Sequence, residues 1–185
     1  SAVVTDIKKI CNSEVIMYVV IAAGLSALVL ALTMDSFLLP FIFLLSIGMA
    51  IVYNLGTNFI AGEISFVTQA LAAVVQLAVT MDYSIFLWHS YLENQERYPD
   101  DRKRAMSHAI SQTLTSVVGS SITTIAGFLA MCFMTFTLGM DLGVVMAKGV
   151  VFGVIGCVTI LPSMILAMDK WIEKTRHKIG RASCR

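Results

Sequence analysis

The segment LAVTMDYSIFLWHSY, Leu77–Tyr91, is apolar, aromatic or small except for one carboxylate, Asp82. Beside it stands Tyr83, whose hydroxyl can give or take a hydrogen bond. His89 follows seven positions on. At 100° per residue that spacing returns it to the Asp82 side of a helix, about two turns away. A carboxyl, a phenol and an imidazole in one apolar stretch have the chemistry of a proton relay, with His89 as a proton entry step. Each also has a plainer use. Asp82 can be a hydrogen-bonded contact between helices, Tyr83 points about 100° away from it, and His89 beside Trp88 suits a membrane interface.

Two further patterns bear on the same chemistry. In SQTLTSVVGSSITTIAGF, the residues Thr113, Ser116, Ser120, Thr124 and Gly127 fall within about 80° of one another at helical spacing. Such a stripe lets a neighbouring helix come close and offers hydroxyls to a buried partner. It serves either packing alone or direct contact with Asp82, in which case Ser116, Ser120 and Thr124 support the relay. Gly149-Val-Val-Phe-Gly153 is a G-x-x-x-G match, followed by Gly156, and reads as a helix-contact surface.

The elements that must hold these residues follow from composition. Of 185 residues, 57% are hydrophobic and 14% charged; a soluble domain carries roughly 25% charge. The mean hydropathy of +0.82 is too high for one soluble core, so the chain reads as an integral membrane protein of all-α class. A net charge of +1 without a basic cluster gives no sign of a nucleic-acid partner. Cys11, Cys132, Cys157 and Cys184 lack metal or disulfide spacing. No metal or organic cofactor is expected, and no intramembrane Ser–His or H-E-x-x-H arrangement suggests an enzyme.

A bilayer core of about 30 Å needs about 20 apolar residues of helix. Five runs qualify: Val15–Met34, Phe37–Leu55, Ile64–Leu92, Ala105–Thr137 and Leu142–Met168. Ser36 is placed to cap the second, with Pro40 in its first turn. Pro162 is expected to kink the fifth. Residues 1–14 read as an external segment, 15–178 as a five-helix membrane domain, and 179–185 (IGRASCR) as a tail resembling translated sequencing adapter. Orientation follows the basic residues. Arg97, Arg102, Lys103 and Arg104 in the third connection, with Lys170, Lys174, Arg176 and Lys178 after the fifth run, lie on one side of the membrane. Only Lys8 and Lys9 lie on the other. The third connection and the C-terminus are therefore expected in the cytoplasm, and the N-terminus outside, in a multi-pass protein of the cell membrane. An external start without a signal sequence predicts that at least one helix, and an external domain, precede Ser1.

These residues carry a resemblance. TMDYSIFL resembles the Asp-Tyr motif of the MMPL family of the RND transporter superfamily. SSITTIAGFLAMCFM, LGMDLGVVMAKGV, LPSMILAMDKWIEK and KTRHK resemble the following helices of that family in bacteria. The resemblance implies one half of a two-half transporter, its last five helices, with the other half missing. It implies proton-driven export of hydrophobic or lipid-like substrates, protons as the coupling ion, and Asp82 and Tyr83 as the relay pair. The same five-helix unit is similar to sterol-sensing domains, which implies the alternative of lipid sensing or regulation.

Overall fold

Five helices fill the computed structural model, which describes residues 2–34, 36, 38–61, 66–134 and 137–175. They are α1 (Ala2–Thr33), α2 (Leu38–Ala61), α3 (Phe66–Arg97), α4 (Arg102–Met131) and α5 (Thr137–Thr175). The protein is an all-α polytopic membrane protein. Four helices carry apolar stretches long enough to cross a bilayer: Leu38–Thr57, Thr68–Arg97, Arg102–Met131 and Gly139–Ile172. The described apolar part of α1 is shorter, Ile16–Leu32. The basic segment beyond Thr175 and the tail at 179–185 lie outside the described residues.

The helix ends follow local chemistry. Ser36 starts α2 as expected: the Leu38 amide donates to its Oγ at 3.3 Å. Asp101 caps α4 by accepting from the Arg104 amide at 3.0 Å. The run expected to reach Thr137 stops at Met131. There Cys132 and Phe133 turn their amides to Leu129 and Ala130, three residues back, tightening the last turn. The helix of α1 reaches back over the polar residues expected to lie before it, a stretch without Gly or Pro to break it. α5 continues through Pro162, which is buried.

α5 lies against α2, α3 and α4, while α1 packs on α2 and α3 from the edge. The main core gathers residues of all five helices at the end that carries the α3–α4 loop. Tyr91, Leu39, Leu30, Leu161 and Ile165 are fully enclosed there, with Ala105 and Ala109 of α4. Ala72, Leu142, Val145 and Met146 form a smaller core at the other end. The apolar part of α1, Ile16–Leu32, exposes Val20, Leu25, Leu28 and Leu32, as a lipid-facing helix does.

The loop end is also tied by polar groups. Asn94 Nδ2 donates to Gln112 Oε1 and to the Ser90 carbonyl, each at 2.8 Å, and Ser90 Oγ donates to Gln112 Oε1 at 2.9 Å. Tyr98 stacks on His108 at 5.0 Å between centroids, with the Arg104 guanidinium 4.8 Å from the Tyr98 ring. Arg102, at the start of α4, forms an ion pair with Asp169 near the end of α5. The Asp169 side chain is 8% exposed and that of Arg102 is 37% exposed. Arg102→Ala therefore leaves a buried carboxylate without its guanidinium. It is expected to cost about 2–3 kcal/mol and to lower the melting midpoint in detergent by several degrees. An unchanged midpoint would show that water serves Asp169 equally well.

Candidate functional site

Asp82 lies midway along the α3 span, fourteen residues after Thr68 and fifteen before Arg97. Helical geometry sorts its neighbours. Leu71, Ala78, Asp82, Phe86, His89, Glu93 and Glu96 fall within about 40° of one line and are exposed on the surface of the five-helix unit, while Val75 on the same line is half-buried against the smaller core. Asp82 therefore sits on an open strip of α3.

Tyr83, one position on, turns inward and is 7% exposed. Its hydroxyl accepts a hydrogen bond from Ser121 Oγ of α4 at 2.9 Å, and Ser121 is 4% exposed. This bond holds the α3 backbone beside Asp82 against α4. The adjacent pair thus divides its positions: the phenol is anchored between helices and the carboxyl faces outward.

His89 lies on the same strip as Asp82. Its Nδ1 is 2.9 Å from the carbonyl oxygen of Ile85, one turn back. A carbonyl can only accept, so Nδ1 carries the hydrogen and Nε2 of the neutral ring is left as the acceptor.

The hydroxyl stripe is not where constant helical phase put it, and this corrects the expected contact with Asp82. Ser116 and Ser120 are exposed, Thr124 is half-buried, and Thr113 alone of the stripe hydroxyls is buried. Ser120 Oγ and Thr124 Oγ1 donate to carbonyls of their own helix, Val117 and Ser120. The buried line on α4 is instead Ala105, Ala109, Thr113, Val117 and Ser121. Each step of four residues turns it by about 40°, as expected of a ridge in a helix that crosses its neighbour obliquely. At the level of Asp82 the line has rotated from Ser120 to Ser121.

On its other side α3 meets the glycine track of α5. A Cβ added at Gly149 would lie 2.8 Å from Asn54 Nδ2 and 3.2 Å from Gln76 Oε1. One added at Gly153 would lie 2.5 Å from Thr80 Oγ1, and one at Gly156 only 3.5 Å from the Ala50 Cβ. Glycine at the first two positions thus lets α5 approach polar residues of α2 and α3. Asn54 and Gln76 are buried and joined by a hydrogen bond of 2.9 Å, and Asn54 Nδ2 also reaches the Val145 carbonyl at 3.3 Å. A single amide pair links three helices. Sequence reasoning missed Asn54, Gln76, Thr80 and Ser121, whose partners lie 22 to 91 residues away in the amide pair and 38 away for Ser121. The signal available was a polar side chain recurring within an apolar run.

These contacts predict an order of tolerance. Gly149→Ala and Gly153→Ala should each cost about 1–3 kcal/mol through overpacking, and Gly156→Ala much less. Thermal unfolding in detergent gives the ranking. Equal midpoints for all three variants would mean that α5 does not approach this closely.

Comparison with known proteins places this chain in a family. The model of the MMPL family matches residues 1–183. ActII-3 of Streptomyces coelicolor is 30% identical over 129 residues, 69% of this chain and 18% of that protein. MJ1562 of Methanocaldococcus jannaschii is 33% identical over 97 residues, 52% of this chain and 24% of that protein. SCO0839 of Streptomyces coelicolor is 28% identical over 148 residues, 77% of this chain and 21% of that protein. The names of all three speak only of a membrane protein. No solved structure matches the chain. The chain spans about a fifth of the length of these relatives. With the family model matched over nearly its whole length, the chain belongs to the MMPL family.

Proposed function

We infer that this chain is the five-helix unit of a proton-driven RND-type transporter that exports hydrophobic or lipid-like molecules, with Asp82 as proton carrier and Tyr83 as its partner. The observation that carries the reading is the placement of Asp82. A carboxyl at mid-span costs roughly 2.5–3.5 kcal/mol on insertion scales. A purely structural carboxyl would face a partner inside the bundle, yet Asp82 is turned to the open side of α3. That position suits a group covered by a second helical half and served by water between the halves. Protonated and ionised Asp82 would favour different packings across such a junction, so a proton gradient could drive a cycle. The chain covers about a fifth of its relatives, which leaves room for the second half and a substrate-binding external domain. The unit alone is not expected to transport, and neither an enzymatic step nor an organic cofactor or metal enters the reading.

The decisive variant is Asp82→Asn in the full-length transporter. It keeps shape and most hydrogen bonding but cannot titrate. Proton-coupled export should be lost while membrane insertion stays near normal. Tyr83→Phe should weaken export less, since it removes only the bond to Ser121. Export at the parental rate by the Asn variant would make Asp82 a structural contact and favour a lipid-sensing role for the unit.

Orientation is part of the same reading. The α3–α4 connection carries Arg97, Arg102, Lys103 and Arg104, a basic bias that supports a cytoplasmic position in a plasma-membrane protein. A cysteine introduced at Tyr98 should react with an impermeant maleimide only after the cytoplasmic face is opened. Labelling from outside in intact cells would reverse the topology.

A further inference from the structure

We propose that His89 is the group that exchanges protons between Asp82 and the aqueous phase at the α3–α4 loop, and that it does so through Nε2 alone. The proposal rests on the reading of Asp82 as a proton carrier and deepens it by naming the next group on the path.

Three observations meet on one line of α3. Asp82, His89 and Glu93 share the exposed strip and run from mid-span toward the loop end of the helix. His89 is seven residues from Asp82, about 10 Å along the axis, a gap that two or three hydrogen-bonded waters cross. Glu93 is one further turn out and pairs with Arg97 at 3.1 Å on an exposed surface; it marks where the strip reaches water.

The third observation is the bond from His89 Nδ1 to the Ile85 carbonyl. It fixes the ring on its own helix and settles the tautomer, because the carbonyl has no hydrogen to give. Nε2 then has the free lone pair, and the ring does not have to turn over to use it.

The step balances with no further reactant. The O–H bond of protonated Asp82 breaks, and its proton passes along water as a new N–H bond forms at His89 Nε2. The ring becomes imidazolium while Nδ1–H stays on Ile85. Loss of the same Nε2 proton to bulk water restores the neutral ring, and the sequence reverses when protons run the other way.

The remaining charged groups at this end are engaged or lie at its rim. On α3 and in the loop they are Glu96, Asp100 and Asp101, on α4 Arg102, Lys103, Arg104 and His108, and on α5 Asp169, Lys170 and Lys174. Arg102 pairs with Asp169, and His108 stacks on Tyr98. Between Val19 and Leu32 of α1, and between Leu38 and Val52 of α2, there is no ionisable side chain. Among the described residues, His89 is therefore the titratable side chain that follows Asp82 on the open strip toward the loop.

The test uses the full-length transporter in liposomes with a pH-sensitive dye in the lumen and an imposed pH step. His89→Ala should slow proton flux on the order of 100-fold, within the range of a lost proton-transfer group. Imidazole added to the buffer should restore much of it, because a small base can occupy the space of the missing ring. His89→Gln, which keeps a hydrogen-bonding side chain, should be as slow as His89→Ala. Asp82→Asn, run in parallel, should stop flux and gain nothing from imidazole. Parental flux in His89→Ala beside a dead Asp82→Asn would overturn the role of His89 and leave the carrier reading standing. Slow flux that imidazole does not rescue would reduce His89 to a structural residue. Undiminished flux in Asp82→Asn would remove both readings together.

Discussion

The close approach of α5 to α2 and α3 is the constraint on which the rest of the bundle depends. Inside a bilayer the hydrophobic effect does not press apolar helices together, since lipid tails solvate them as well as a neighbour does. Contact must be bought by tight packing and by polar groups that find each other. Gly149 and Gly153 supply the first, because any larger residue there would meet Asn54, Gln76 or Thr80. The Asn54–Gln76 pair and its bond to the Val145 carbonyl supply the second. With α5 seated, its far end brings Asp169 to Arg102 and so fixes where α4 begins.

That arrangement gives α3 two unlike sides. The side toward α2 and α5 carries Gln76 and Thr80, the side toward α4 carries Tyr83, Ser90 and Asn94, and all of these are buried. The side left over carries Asp82 and His89, and both are exposed among the described residues. Polar residues on the enclosed sides hold helices in register. Those on the open side contribute no bond between helices of the unit among the described residues, so along one helix the polarity that joins helices is separate from the polarity that does not.

Much of the helical plan was legible because each run is long, apolar and bounded by charge or turn residues. Ser36 marked the start of α2, and the glycine spacing marked the contact face of α5. The partners of that face were not legible, since helix-on-helix contacts join residues far apart in the chain and periodicity says nothing of which helix is met. The hydroxyl stripe of α4 failed for a geometric reason. A stripe of constant phase assumes parallel neighbours, whereas α4 meets the bundle along the ridge from Ala105 to Ser121. Rotation of one residue at its far end exchanged Ser120 for Ser121, and with it the contact expected for Asp82 became the contact made by Tyr83.

That exchange explains why an aspartate and a tyrosine stand side by side rather than one turn apart. Residues four apart would share a face, and both would be buried or both open. Adjacent residues point about 100° apart, so one can be fixed while the other is free to change state. Ser121 holds Tyr83 at 2.9 Å, and the backbone between the two side chains is one peptide unit. If Asp82 carries a proton as proposed, any change in its charge that shifts α3 would reach the bond to α4 without a longer path through the core. Coupling of this kind needs only two side chains, one backbone step and a helix that borders both the bundle and its outer face, and α3 is such a helix.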